Sequence, residues 1–257
     1  MKLEKYHGLG NSFLITDFIE KTNYSKISNK LCNGNSSIGA DGLIVIKKDP
    51  LEMHIFNKDG SEAIMCGNGL RCFLHYCFLH GYLNNKKENI EVRTKSGIYT
   101  SRIVSYSPFI SEIKFKRGLV RKEILGLYQE TYESYFVKVG VRHNVIFVND
   151  ENKYKIELLK DNFNKYQGFC EETNIDIVEK IDENQIKVTT YERGVGLTLS
   201  CGTGFVASCL VANYLYGCSS SISVKNDFGI MEVKIDGDKV YLKGPSVKVC
   251  DIEVDNA

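Results

Sequence analysis

The sequence predicts an α+β protein of two pseudo-symmetric domains, each a curled mixed sheet around one central apolar helix. Three observations carry this. Short alternating or β-branched runs fill most of the 257 residues. Two segments, Leu70 to Tyr82 and Phe205 to Tyr216, are instead long and apolar on every side, and a helix of that kind has to be wrapped by other structure. Each is preceded by a glycine-bounded cysteine, in "MCGNGLRC" and "SCGTGFVASC", at an offset of 201 − 66 = 135 residues, about half the chain.

In chain order, strands are expected at Ser12 to Thr16, Gly42 to Ile46 and Met53 to Phe56, then the first helix, then strands at Asn89 to Arg93, Tyr99 to Ile103 and Ser111 to Phe115. The second half repeats the scheme with Phe136 to Val139, Asn144 to Val148, Ile175 to Val178 and Gln185 to Tyr191 before its helix. Ser221 to Val224, Gly229 to Ile235 and Lys239 to Leu242 follow it. Turn residues such as Asp59-Gly60, Lys95-Ser96-Gly97 and Asp236-Gly237 punctuate the runs. The domains are placed at 1–113 and 114–246, with 247–257 joining the first, and Pro108 is a linker candidate.

Composition narrows the function. Thirty-three basic and 32 acidic side chains leave no field to attract a polyanion, so nucleic acid is not an expected partner. The N-terminus has no apolar signal segment, and no stretch reaches the roughly 18 unbroken apolar residues of a membrane helix; a cytoplasmic protein without membrane contact is expected. Nine cysteines, an odd number in a chain of this length, are expected to be free thiols. None are spaced as CxxC and no HExxH occurs, so no metal is proposed. No lysine lies in a recognisable pyridoxal phosphate context, so no cofactor is proposed either.

The glycines around Cys66 and Cys201 leave backbone N–H groups uncovered at a helix start, where the donors lack partners and the dipole favours negative charge. A carboxylate fits there, and a thiol there is drawn toward thiolate. Cys72, Cys77 and Cys209, inside the apolar helices, are expected to be packing. If the domains face one another, two thiols and two sets of donors meet one small α-carboxylate ligand. Proton removal on one face of a carbon and delivery on the other is racemisation or epimerisation.

"NKDGSEAIMCGNGLRC" and "YERGVGLTLSCGTG", with "KYHGLGNSF" and "IGADGLIVI", resemble the signatures of the diaminopimelate epimerase family, and the four motifs occur in the family's order. The resemblance implies the diaminopimelate epimerase-like fold, no pyridoxal phosphate, and Cys66 and Cys201 as the acid/base pair. It also implies that His143 partners one thiol and Glu192 the other. Asn11, Asn57, Asn174 and Arg193 would bind the amino acid, while Asn68 and the N–H groups of Gly67, Gly202 and Thr203 would hold its α-carboxylate. A homodimer is implied as well.

Two positions depart from the family. Val141-Arg142 stands where Asn-Pro usually precedes the histidine, and Leu197 where glutamate usually follows ERGxG. A buried polar substrate end left unpaired costs about 1–3 kcal/mol, so altered specificity is expected. The departures favour another amino acid such as histidine, which would make this a histidine racemase. Diaminopimelate epimerase proper, acting on diaminopimelate or lanthionine in lysine and peptidoglycan biosynthesis, is the alternative. A carboxylate-dependent isomerase of similar fold is disfavoured by the presence of both cysteines, and a non-catalytic thiol-sensing or amino-acid-binding protein remains the reading of another class.

Overall fold

The computed structural model describes residues 1–84, 87–127, 130–149, 173–192, 196–198, 200–226 and 228–255. The chain divides into two compact units, Met1–Lys114 with Lys243–Ala257, and Phe115–Leu242. In chain order the elements begin with β1 (Lys2–Gly8), β2 (Asn11–Asp17), α1 (Tyr24–Leu31), β3 (Gly42–Lys48), β4 (Leu51–Asn57) and β5 (Glu62–Ala63). Next come α2 (Gly67–Leu79), β6 (Ile90–Thr94), β7 (Gly97–Tyr106), β8 (Phe109–Lys116), β9 (Arg121–Leu127) and β10 (Glu130–Val139). They continue with β11 (Val141–Val148), β12 (Thr173–Lys180), β13 (Gln185–Glu192), β14 (Gly196–Thr198) and α3 (Gly202–Tyr216). The last four are β15 (Ser221–Asn226), β16 (Gly229–Asp236), β17 (Lys239–Pro245) and β18 (Val247–Glu253).

The repeat seen in the cysteine motifs extends to the hydrogen-bonding pattern. In the first unit β1 and β2 are antiparallel, β2 and β3 parallel, and β3–β4 and β4–β5 antiparallel; after α2, β6 joins β4 in parallel and pairs with β7 antiparallel. The second unit does the same with β10, β11, β12, β13, β14, α3, β15 and β16 in those roles. The outer neighbour of β1 is β18, and that of β10 is β9, both antiparallel. An α+β fold with one wrapped helix per unit is therefore observed.

Each central helix is buried because no face of it is polar enough to meet water. In α2 the residues from Gly67 to Leu74, with Tyr76 and Cys77, are buried; in α3 every residue from Gly202 to Ala212 is. Strands of the same unit pack around each: β1 to β4 and β18 around α2, and β10 to β13 with β15 and β16 around α3. Alternation follows, as in β13, where Ile186, Val188 and Thr190 are buried between partly exposed neighbours. At its C-terminal end α3 stops at Gly217, whose φ of 59° is the left-handed conformation glycine tolerates.

One helix was not expected. The short, polar α1 is capped by Asn23, whose side chain accepts from Lys26 N at 3.1 Å, and it buries only Tyr24, Ser28 and Leu31. Tyr24 and Leu31 pack with Leu3, Leu14, Leu43 and Val45, which explains why Leu43 to Ile46 read as an unbroken apolar run: β3 is covered on both faces. Strands β1, β5, β9, β14 and β18 were likewise not expected. The linker expectation at Pro108 is corrected, because Tyr106 pairs with Phe109 and Pro108 lies in the turn between β7 and β8. Eight of the nine cysteines are free thiols; Cys170 lies outside the described residues.

His75 on α2 stacks on Phe109 with ring centroids 4.1 Å apart and planes 1° from parallel, its Nδ1 3.2 Å from Ser246 Oγ. Burial pushes this imidazole down to about 4. Between that value and the ordinary 6.5, the unfolded chain binds a proton that the folded chain refuses, so this contribution to stability is lost as pH falls from 6.5 toward 4. His75→Phe, which cannot titrate, is expected to flatten that part of the pH dependence of the urea midpoint.

Candidate active site

In the first unit the site is built where β4–β5 leads into α2. Cys66 is extended, with φ −145° and ψ 118°, and caps the helix, its Sγ accepting from Gly69 N at 3.3 Å. That N–H belongs to the uncovered first turn and stabilises negative charge on sulfur. A Cβ on Gly69 would lie in ordinary contact with the same Sγ, at 3.6 Å, and tightly against Ile44 Cδ1, at 3.2 Å. Cys66 Sγ lies 3.7 Å from Asn11 Oδ1, which also accepts from Asn68 Nδ2 at 3.3 Å.

Asp41, to which the sequence reading assigned no role, orients Asn11. Its Oδ2 accepts Asn11 Nδ2 at 3.0 Å, Ser12 N at 2.7 Å and Ser12 Oγ at 3.3 Å, so the amide oxygen of Asn11 is the end turned to Cys66. Cys66, Gly67, Asn68 and Asn11 are thus together. Asn57, at the end of β4, instead donates Nδ2 to Ser61 Oγ at 3.0 Å within the following turn.

The second unit surrounds Cys201, the N-cap of α3, with a buried hydrogen-bonded series. Cys201 Sγ is 3.5 Å from Thr203 Oγ1, which is 2.9 Å from His143 Nε2. His143 Nδ1 is 2.7 Å from Asp176 Oδ2, and Asp176 Oδ1 accepts Thr190 Oγ1 at 2.7 Å. His143 and Asp176 have no exposed surface. Their strands put them side by side: β11 and β12 are parallel with His143 opposite Asn174, so Asp176, two residues on, faces the same side.

Glu192, at the end of β13, accepts Thr198 Oγ1 at 2.8 Å and interacts with the Cys201 thiol. Burial raises the Glu192 carboxyl above the ordinary carboxylate value, against the lowering by Thr198, His143 and Cys201. Burial also drives the Cys201 thiol well above its ordinary value, with the charges of Glu192 and Asp176 adding to it. Cys201 is therefore a thiol in its resting surroundings, beside two carboxyl groups that can exchange its proton directly or through Thr203 and His143.

Asp176 was missed by the sequence reading. A carboxylate in the middle of an apolar strand, "TNIDIVEK", was the available signal, since such a charge is buried only with partners. Asn174, 9% exposed, lies on the same face of β12. The three departures take ordinary strand positions: Val141 pairs with Val139 across Gly140, Arg142 with Lys138 and Thr173, and Leu197 with Tyr191 while 54% exposed. Arg193 lies outside the described residues. Among the described residues no cluster of side chains could hold a metal ion, and no helix is long and apolar enough to cross a membrane.

The fold is shared with solved structures. A probable proline racemase from Agrobacterium radiobacter superposes with a TM-score of 0.77 at 11% identity, covering 100% of this chain and 93% of that one. A phenazine biosynthesis protein from Clostridium difficile gives 0.74 at 14%, covering 99% of each. Curated relatives are nearer in sequence: the diaminopimelate epimerase of Caldanaerobacter subterraneus is 36% identical over 95% of this chain and 96% of its own, and that of Methanocaldococcus jannaschii 31% identical over 100% and 99%.

A cysteine at the head of each of two buried helices, in this fold and with these relatives, makes the protein an isomerase of the amino-acid epimerase and racemase class. The family model for diaminopimelate epimerase matches residues 3–121 and 135–249, and the chain belongs to that family.

Gly204 is required by the packing at Cys201, since a Cβ there would lie 2.3 Å from Asp176 Oδ1 and 2.9 Å from Thr190 Oγ1. Gly204→Ala is expected to destabilise the protein by about 1–3 kcal/mol in urea denaturation and to lower turnover by displacing Asp176.

Proposed function

We propose that the protein is a diaminopimelate epimerase, interconverting the LL and meso forms by cofactor-independent proton transfer at Cα. The observation that carries this reading is the near full-length likeness to enzymes of that name, at 36% identity in one case, with a cysteine retained at both helix starts. The preference for another amino acid such as histidine finds no support in these relatives, and the diaminopimelate reading replaces it. Val141, Arg142 and Leu197 then mark where this chain meets the distal end of the substrate differently from most of its family.

In this reading Cys66 and Cys201 are the two acid/base groups, one removing the α-proton and the other returning a proton on the opposite face. Gly67, Asn68, Gly202 and Thr203 hold the α-carboxylate at the helix starts, where the first-turn N–H groups favour an anion. Asn11, Asn57, Asn174 and Arg193 position the rest of the amino acid. Glu192 serves Cys201 directly, so this reading does not keep the division of one partner per thiol that the resemblance implied. His143, held in orientation by Asp176, serves it through Thr203, the arrangement in which a buried carboxylate fixes the tautomer of a catalytic imidazole.

Incubating the enzyme in deuterated water with LL-diaminopimelate, lanthionine and a panel of single L-amino acids, histidine included, is expected to label Cα of diaminopimelate fastest. Faster exchange into histidine would reject the substrate assignment, and full activity in Cys66→Ala would reject the mechanism. Asp176→Asn is expected to reduce kcat by about 10²–10⁴-fold, the usual contribution of a positioned acid/base group.

A further inference from the structure

The Cys201 sulfur is the first of five groups joined in series, through Thr203, His143 and Asp176 to Thr190. Water is kept from the inner members: Thr190 is 1% exposed, His143 and Asp176 not at all. A hydroxyl has one proton to give and a neutral imidazole one N–H, so the direction of each bond constrains the next. An ionised Asp176 only accepts. Thr190 Oγ1 donates to its Oδ1 at 2.7 Å, which leaves Oδ2 to His143 Nδ1, also at 2.7 Å. Nδ1 then carries the imidazole proton, and the bare Nε2 takes the Thr203 hydroxyl proton across 2.9 Å. With that proton committed, Thr203 Oγ1 accepts from Cys201, 3.5 Å away, and the sulfur is held as S–H. The opposite run would set a bare Nδ1 against the carboxylate, acceptor against acceptor, unless Asp176 itself took up a proton.

We propose that Thr190 is a positioning residue for Cys201, acting through Asp176, His143 and Thr203: its hydroxyl keeps Asp176 ionised and so sets the one direction in which the series runs. Asp176 and Thr190 stand directly opposite each other on β12 and β13, which turns both side chains to one face. Gly204 of α3 closes the adjoining side, since a Cβ there would lie 2.3 Å from Asp176 Oδ1 and 2.9 Å from Thr190 Oγ1. Among the described residues Thr190 is therefore the donor that reaches Oδ1. Glu192, the other carboxyl near Cys201, is held by Thr198 at 2.8 Å and stands outside the series. In this direction Cys201 can be deprotonated without water. Its S–H bond breaks as an O–H bond forms on Thr203, the earlier Thr203 proton passes to His143 Nε2, and Asp176 faces the resulting imidazolium; the reverse steps return the proton. Without the Thr190 hydroxyl, a buried carboxylate oxygen loses its donor and the neutral acid is favoured. Asp176 then donates from Oδ2 to Nδ1, the imidazole proton sits on Nε2, and His143 can no longer receive a proton from Thr203.

The proposal rests on Cys201 being an acid/base group, as the proposed reaction has it, but it can be read without turnover. Long-range proton–nitrogen NMR spectra of the full-length protein labelled with 15N-histidine, near neutral pH, show which imidazole nitrogen carries the proton, and the His143 signals are those missing from His143→Gln. In the wild type the proton is expected on Nδ1, with Nε2 bare. Thr190→Val, which keeps the shape and lacks the hydroxyl, is expected to move it to Nε2, while Thr190→Ser keeps it on Nδ1. Turnover is expected to follow the tautomer: kcat falls by about 10²-fold or more in Thr190→Val with KM little changed, and Thr190→Ser restores most of it. A wild-type Nε2 that carries a proton, or a proton that stays on Nδ1 in folded Thr190→Val, overturns the proposal. If Thr190→Val loses its far-ultraviolet circular dichroism, Thr190→Cys, whose thiol is a weak donor, takes its place with the same two outcomes. Absence of epimerase activity in the wild type would count against the proposed reaction and leave the tautomers to be read as before.

Discussion

Each unit depends on one constraint: a helix with no polar face must be enclosed over most of its length, and its N-terminus still needs something to satisfy four N–H groups. In both units the enclosing strands supply the first requirement. The second is met only at α2, where the Cys66 sulfur accepts from Gly69 N; Cys201 at the head of α3 makes no side-chain capping bond. At Gly204 glycine is a packing demand, since a methyl group there would run into Asp176 and Thr190. The uncovered donors that result are suited to a carboxylate, and the cysteine is held at the edge of the same donor set.

The two units share a strand plan but not an electrostatic one. Around Cys66 stand the amide oxygen of Asn11 and a capping N–H. Around Cys201 stand a histidine and two carboxyl groups, which with burial drive that thiol upward. The duplicated scaffold thus carries two sulfurs in unlike surroundings. A reaction that hands a proton from one side of a carbon to the other needs its two groups in opposite protonation states at the start, and unlike surroundings are the physical means of keeping them so.

Much of this was legible in the sequence, for reasons that can be stated element by element. The central helices were found from apolar residues on all faces, and strands such as β13 from alternation. Cys66 and Cys201 stood out because a motif that packing alone could explain once occurs twice at half-chain spacing. Helix α1 was missed because eight polar-rich residues carry only a narrow apolar stripe. Strand β1 carries Lys2, Glu4 and Lys5, and β18 has no buried residue, so their pairing with each other could not be seen from either segment. Asp41 and Asp176 read as ordinary charges in motifs already assigned to turns and strand.

The sequence by itself determined the period of each element, the burial of the two helices and the placing of a thiol at each helix start, because these follow from local spacing and from the chemistry of a few adjacent residues. Only the tertiary structure decided which charge each thiol faces. Asp176 reaches His143 across neighbouring strands and Asp41 reaches Asn11 from 30 residues away, so the electrostatic environment of each sulfur is made by residues far apart in the chain. Protonation state depends on burial and on charges within a few ångströms, and neither quantity exists until the strands have paired.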